Sequence, residues 1–142
     1  MTIAVSSSTP IAPAPGTVDR APALILRAEG AALLGACAIA YGATGGSWWL
    51  FAALFLAPDL FMLGYAVNAR LGAALYNLGH TTVVPLAMIL AGWSLGAVLA
   101  TSLGLIWLGH IGFDRLMGYG LKYPDGFQQT HLGSARTTGH ER

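Results

Sequence analysis

Charged residues are scarce in this chain of 142 residues. Only 9% of the residues are Asp, Glu, Lys or Arg, whereas 55% are hydrophobic and the mean hydropathy is +0.62. A soluble domain carries about a quarter charged residues. The composition therefore excludes an ordinary soluble domain and indicates an integral membrane protein, with the lipid bilayer as its main partner.

Cysteine and a strong charge of either sign are also nearly missing. Cys37 is the only cysteine, so no internal disulfide can form, and its apolar neighbours predict a small packing residue. The net charge is +1 and the basic residues are scattered, which excludes the basic surface that nucleic-acid binding requires.

The two ends of the chain lack the hydrophobic runs of its middle. Residues 1–21 are rich in Ser, Pro, Ala and Thr and have neither the basic region nor the apolar core of a signal peptide, which predicts a disordered leader. Residues 122–133 contain a Pro-Asp-Gly turn signal and are predicted to form an ordered cytoplasmic segment. Residues 134–142 are predicted to be a disordered tail.

Between these ends lie apolar segments of helix length, and they predict a transmembrane domain over residues 22–121. No charged residue occurs between Glu29 and Asp59 or between Arg70 and Asp114. A helix needs about 20 mostly apolar residues to cross a bilayer, and helices satisfy their own backbone there. Glycine-rich or polar links divide the domain into four segments, at residues 22–42, 48–66, 71–91 and 97–118.

These segments predict an all-α fold, a four-helix transmembrane bundle of up-and-down topology, with Pro85 as a kink in the third helix. An even number of crossings places both termini and the link at residues 67–70 on one side. All basic residues lie on or near that side: Arg20, Arg27, Arg70, Arg115, Lys122, Arg136 and Arg142. By the positive-inside rule the termini are cytoplasmic and the protein belongs to the inner membrane.

Each predicted helix carries an ionisable group at a similar depth. At about 1.5 Å per residue these groups lie roughly 6–15 Å from the inner surface. The five are Glu29, Asp59, His80, His110 and Asp114. A charge at mid-bilayer costs roughly 2.5–3.5 kcal/mol, and this cost falls if the groups meet inside the bundle. His110 and Asp114 are four residues apart and share a helix face.

Carboxylates and imidazoles on facing helices are typical ligands of a metal centre. The sequence predicts a site near the inner leaflet in which Asp59, His80, His110 and Asp114 bind zinc, manganese or iron and act in catalysis. Such a metal would activate water against a lipid or another amphiphile, so the leading hypothesis is a metal-dependent membrane hydrolase.

Other interpretations remain open at this stage. His80 and His110 could ligate haem from both sides, or the acids could form a proton relay. A structural or accessory protein is a further alternative, in which Glu29 and Asp114 pair with nearby arginines and the histidines are hydrogen-bonded interior groups. The many glycines and alanines also leave a homodimer open.

Three stretches, "GGSWWLFAALFLAPDLFMLGY", "GAALYNLGHT" and "IWLGHIGFDRLMGYGLKYPDGFQQTHLG", resemble a bacterial integral-membrane family known as domain of unknown function 4260. The resemblance covers roughly residues 24–133 and implies a small multi-pass membrane protein of unassigned activity. It includes the segments around all five ionisable groups and the stretch Thr130 to Gly133. It therefore adds His131 to Glu29 as a further candidate ligand beside the four central residues.

Overall fold

The computed structural model describes residues 20–123, 129–130 and 133–134. Residues 1–19 of the predicted leader, His131 and residues 135–142 of the predicted tail lie outside the described residues, whereas residues 20 and 21 begin the first helix. The elements in chain order are α1 (Arg20–Ala43), α2 (Trp48–Leu54), a 3-10 helix (Ala57–Ala66), α3 (Ala69–His80), α4 (Val83–Ser94), α5 (Val98–Met117) and the antiparallel strand pair β1 (Gln129–Thr130) and β2 (Gly133–Ser134).

The second apolar segment is not one α-helix, as the sequence predicted, but α2 followed by the 3-10 helix. Pro58 stands at the start of the 3-10 helix and has no N–H to donate to the preceding turn. The amide of Asp59 donates to the carbonyl of Leu56 at 3.1 Å, a tighter pattern than that of an α-helix. This change places Asp59 in the first turn of a new helix.

The third segment is also interrupted, but not at Pro85, where the sequence predicted a kink. Thr81 has extended backbone angles and separates α3 from α4. Pro85 therefore falls in the first turn of α4, where a missing N–H removes no helical hydrogen bond. The break leaves His80 as the last residue of α3.

Three helical stretches in the described part of the chain are long and apolar enough to cross a membrane: Ala21–Ala43, Trp48–Ala66 and Ala69–Ser94. The sequence predicted four. The helix α5 has the required length, but His110, Asp114 and Arg115 lower its hydropathy. It is the central helix, and half of its 20 residues are buried by the others. The fold is thus that of a helical membrane protein built around the helix that carries His110 and Asp114.

The helices α1 and α5 run antiparallel and touch through glycine. A Cβ atom added to Gly30 would lie 2.6 Å from the backbone nitrogen of Leu116 and 2.7 Å from the carbonyl oxygen of Gly112. At the other end of the pair, the hydroxyls of Thr44 and Ser102 are 3.1 Å apart. Small residues allow such close packing, which is common between helices in membranes.

Two further pairs of helices pack in antiparallel fashion, and one of them again includes α5. The α4 helix packs on α5, with Gly92 against Thr101 and Gly104 against Ile89. The 3-10 helix packs on α3, and Gly79 lies against the ring of Phe61. After α5 the chain is tied back to α3, because the side-chain amide of Asn77 donates to the Lys122 carbonyl at 2.8 Å and accepts from the Lys122 amide at 2.7 Å.

Candidate metal centre

Four of the residues that the sequence predicted as one site do meet in the structure. Each of the four offers one possible ligand atom, an imidazole nitrogen or a carboxylate oxygen. These four atoms, from Asp59, His80, His110 and Asp114, all lie within 4.8 Å of one another. The interrupted helices create this arrangement. Asp59 begins the 3-10 helix and His80 ends α3, so both lie at breaks in the apolar segments, while His110 and Asp114 lie one turn apart on α5.

The four groups form a compact tetrahedron of nitrogen and oxygen atoms. His80 Nε2 lies 3.2 Å from His110 Nε2, 3.4 Å from Asp59 Oδ1 and 3.3 Å from Asp114 Oδ2. His110 Nε2 lies 3.5 Å from Asp59 Oδ1 and 3.9 Å from Asp114 Oδ2. Five of the six edges of this tetrahedron therefore measure between 3.2 and 3.9 Å.

Tyr76 fixes the orientation of His80. The Nδ1–H group of His80 donates to the Tyr76 carbonyl at 2.9 Å, because a carbonyl oxygen can only accept. The Tyr76 ring also stacks on the imidazole, with ring centroids 3.8 Å apart. In the neutral ring the Nε2 atom is therefore unprotonated, and its lone pair points at the other three groups. Metal-bound histidines usually have such a hydrogen bond at the second nitrogen.

His110 is the most enclosed member of the cluster. Only 1% of its side chain is exposed, and the ring of Phe55 packs edge-on against it at 5.5 Å. Its Nδ1 atom is buried and makes no hydrogen bond of good geometry within the described residues. The backbone of Phe55 interacts with the same ring. Phe55 directly follows α2, so its backbone lies at the break between α2 and the 3-10 helix.

The cluster consists almost entirely of hydrogen-bond acceptors. Asp114 Oδ2 already accepts from the Tyr76 hydroxyl at 3.1 Å, and the Nε2 atom of His80 has no proton when the ring is neutral. The only remaining donor would be a proton on His110 Nε2. Two carboxylates and two imidazoles at these distances therefore require additional positive charge between them, either protons or a metal ion.

Access to the cluster is uneven. The side chain of Asp59 is 39% exposed, whereas those of His80 and Asp114 are 4% and 12% exposed. A cavity of about 10 Å³, with room for about one water molecule or ion, lies beside His80 and Asp114. The cluster thus opens to its surroundings at Asp59 and is closed on its other sides.

Lys122 adds a cation at the closed side. Its ammonium group lies 4.4 Å from the centre of the Tyr76 ring, on which the His80 imidazole also stacks. Burial lowers the pKa of this ammonium, and the negative charges of Asp114 and Asp59 partly oppose that change. The sequence did not predict Lys122 beside the cluster, since its position after the last helix carries no signal of this contact.

The structure does not bring Glu29 to the other four residues. Its side chain is exposed on α1, because the adjacent Gly30 is the residue that faces α5. Neighbouring residues of a helix point about 100° apart, so equal depth did not imply the same face. His131, the other additional candidate, lies outside the described residues.

A serine motif in the turn after α4 has no comparable setting. Residues 92–96 read Gly-Trp-Ser-Leu-Gly, which matches the Gly-x-Ser-x-Gly pattern of serine hydrolases. That pattern requires a turn from a strand into a helix, but Ser94 ends α4 in a helix-to-helix turn. Its hydroxyl donates to the Leu90 carbonyl at 2.7 Å. The motif is therefore not a nucleophile elbow.

Replacing Tyr76 with phenylalanine tests how far the hydrogen bond from its hydroxyl to Asp114 strengthens metal binding. Tyr76→Phe keeps the ring stacked on His80 but removes the hydrogen bond to Asp114. Loss of such an outer hydrogen bond typically weakens metal binding about 10–100-fold, and we expect a loss in that range. Competition with a fluorescent chelator measures it. Tyr123→Phe, at an exposed tyrosine, is the control, and equal affinities in the two variants would contradict the expectation.

Comparison with known proteins supplies a family but no activity. The family described as "Domain of unknown function (DUF4260)" matches residues 23–135. This range contains all four residues of the cluster and most of the described chain. Neither the curated proteins nor the solved structures contain a match.

Proposed function

The chain belongs to this family of unknown function, and we propose that it is a membrane protein that binds one divalent metal ion with Asp59, His80, His110 and Asp114. The observation that carries the proposal is the spacing of the four groups. Zinc bonds to histidine nitrogen and carboxylate oxygen measure about 2.0–2.2 Å, and a tetrahedron with such bonds has edges of about 3.3–3.6 Å. The separations of 3.2–3.9 Å lie close to this range.

The chemistry of the donors supports zinc, manganese or iron. Imidazole suits zinc and iron, and carboxylate suits manganese as well, whereas a thiolate site would require cysteine. A divalent ion would balance the two carboxylates and accept the lone pairs of both imidazoles. Acceptors that face one another without donors are unfavourable, and coordinate bonds to the ion would remove that cost.

The same spacing argues against haem. A porphyrin needs an open gap between two axial histidines, but His80 Nε2 and His110 Nε2 are 3.2 Å apart. Two carboxylate oxygens occupy the space around them, and the cavity beside His80 holds only about 10 Å³. A metal ion fits these dimensions and a macrocycle does not.

We further propose that the protein is a hydrolase acting on an amphiphile in the membrane. The uneven exposure of the cluster supports this, since catalytic zinc sites keep three protein ligands and one open position. All four residues would hold the ion when no substrate is bound. The exposed Asp59 would leave the ion on substrate binding and position water, while His80, His110 and Asp114 continue to hold it. A bound ion would polarise an ester oxygen and acidify water.

Our proposal for the topology is the one that the distribution of charge predicts: four crossings of the inner membrane, with both termini cytoplasmic. The links on the opposite side, at residues 43–47 and 92–96, contain no Lys or Arg. The His/Asp cluster would then lie in the cytoplasmic half of the membrane.

Elemental analysis tests the metal proposal. Protein purified in nanodiscs without chelators should contain close to one equivalent of zinc, manganese or iron per chain. Dialysis against a chelator and readdition of each metal should restore the same stoichiometry. Folded protein that neither contains nor takes up such an ion would overturn the proposal and favour the proton relay or a structural role.

Asp59→Asn distinguishes a catalytic from a structural metal site. If three residues hold the ion, the variant should retain it, while hydrolysis of ester amphiphiles in vesicles should fall about 100-fold or more because the group that positions water is lost. Metal content and hydrolysis are measured on the same samples, with Glu29→Gln as the control acid. Loss of the ion in Asp59→Asn would indicate a closed, structural four-ligand site.

A further inference from the structure

An apolar groove lies next to the metal centre. Its volume is about 330 Å³, and it runs between α2, the 3-10 helix, α4 and α5. Most of the side chains that line it are large and apolar: Leu54, Pro58, Phe61, Met88, Leu103 and Trp107. A groove of this size is at the small end of the range for small-molecule sites, about 300–1,000 Å³.

The groove and the cluster adjoin on two helices. Pro58 lines the groove and directly precedes Asp59, the most exposed member of the cluster. On α5, Ile106 and Trp107 line the groove and lie one turn before His110. A molecule in the groove would therefore have one end next to Asp59.

We propose that this groove holds the single alkyl chain of an amphiphile whose uncharged ester lies at Asp59. The inference rests on the proposed metal-dependent hydrolase and names the substrate class of that site. The groove is large enough for one chain rather than two, and it lies in the apolar, membrane-embedded part of the protein.

The chemistry of the lining supports an alkyl occupant. Among the described residues that line the groove, Trp107 Nε1 is the only side-chain nitrogen or oxygen, and its N–H already donates to the Gly79 carbonyl at 2.6 Å. A polar occupant would lose its hydrogen bonds with water and find no replacements. An alkyl chain has no hydrogen bonds to lose, so it can enter this lining without that cost.

Charge at the end of the groove supports an uncharged head group. The carboxylate of Asp59 stands beside Pro58, and none of the described side chains that line the groove is cationic. With a divalent ion balanced by the carboxylates of Asp59 and Asp114, a phosphate would find no net positive charge here and no lysine or arginine among the described residues that line the groove. A carboxylic ester carries no such penalty, so esters of one fatty acid with a neutral alcohol fit best.

The reaction on such a substrate is a balanced hydrolysis. The oxygen of water forms a bond to the acyl carbon, and the bond from that carbon to the alcohol oxygen breaks. The departing oxygen takes one proton of the water, and the second proton leaves as the fatty acid ionises. The products are a carboxylate, an alcohol and a proton, and no other reactant is needed.

Fluorescence quenching of Trp107 tests the occupant. The other tryptophans, Trp48, Trp49 and Trp93, are exposed and can be replaced by phenylalanine. The probe is a monoacylglycerol brominated in mid-chain, added to this variant in nanodiscs of unbrominated lipid. We expect saturable quenching, and about tenfold or more weaker binding of the matching brominated monoacylglycerol phosphate.

A variant that fills the groove supplies the matched comparison. Ala57 lines the groove, whereas Ala53 is exposed on α2. Ala57→Phe should weaken the quenching about tenfold or more, and Ala53→Phe should leave it unchanged. Equal quenching in the two variants, or stronger quenching by the phosphate, would overturn the inference.

Metal analysis of the same samples separates this inference from the proposed function. Protein that holds the ion but shows no saturable quenching would overturn the alkyl-chain groove and leave the metal site standing. Protein that shows quenching but holds no ion would overturn the hydrolase and the substrate assignment together.

Discussion

His110→Ala should remove the bound metal. His110 is the most buried of the four ligands, and its Nε2 atom lies within 3.9 Å of the facing atoms of all the others. Outer hydrogen bonds to metal ligands are worth about 10–100-fold in affinity, so loss of a ligand itself should cost about 100-fold or more. Metal content per chain after dialysis should fall from near one equivalent to near zero.

The control for this variant is Glu29→Gln. Glu29 is an acid of the same membrane half, but its side chain is exposed on α1 and outside the cluster. It should retain the full equivalent of metal. His110→Gln preserves more side-chain volume and covers the case in which the alanine variant does not fold. Retention of metal in folded His110→Gln, or its loss in Glu29→Gln, would contradict the assignment of ligands.

Among the glycine-to-alanine changes in α1, Gly30→Ala should lower the free energy of unfolding the most. The new Cβ atom would lie within 2.7 Å of backbone atoms of Leu116 and Gly112, and backbone cannot move aside as a flexible side chain can. Overpacking typically costs about 1–3 kcal/mol. Because Gly112 lies between His110 and Asp114, displacement of α5 should also weaken metal binding.

Gly35→Ala on the same helix is the matched control. No atom lies within 4 Å of the position that its Cβ would occupy. Alanine is favoured over glycine in a helix by roughly 0.5–1 kcal/mol, so this variant should be as stable as the original chain or more stable. Thermal unfolding in detergent, with metal content measured in parallel, gives both quantities. Equal unfolding temperatures for the two variants would contradict the close contact of α1 with α5.

Much of the fold could be predicted from where the charges are absent. The two long stretches without charge marked the helical segments, and the similar depths of Asp59, His80, His110 and Asp114 predicted that they would meet. The helical fold and their convergence are confirmed by the structure. Both features follow from the cost of burying charge, and the positions of the charged residues can be read directly from the sequence.

The features that were predicted wrongly depend on local backbone chemistry and on helix rotation. Residues 55–57 are apolar, and the two threonines at residues 81–82 are uncharged, so hydropathy alone could not show that the helices break there. Pro58 and Pro85 marked the neighbourhoods of the breaks but not their positions. Gly30, the residue after Glu29, is the one that contacts α5. A glycine in a sequence does not show which helix it will contact, so the packed face of α1 could not be predicted from it.

The most direct test of the account is X-ray absorption spectroscopy on the metal-loaded protein. We expect one ion with nitrogen and oxygen ligands at about 2.0–2.2 Å and the multiple-scattering pattern of two imidazoles. A spectrum without imidazole, or with the ion surrounded only by water, would contradict a metal centre built from His80, His110 and the two aspartates.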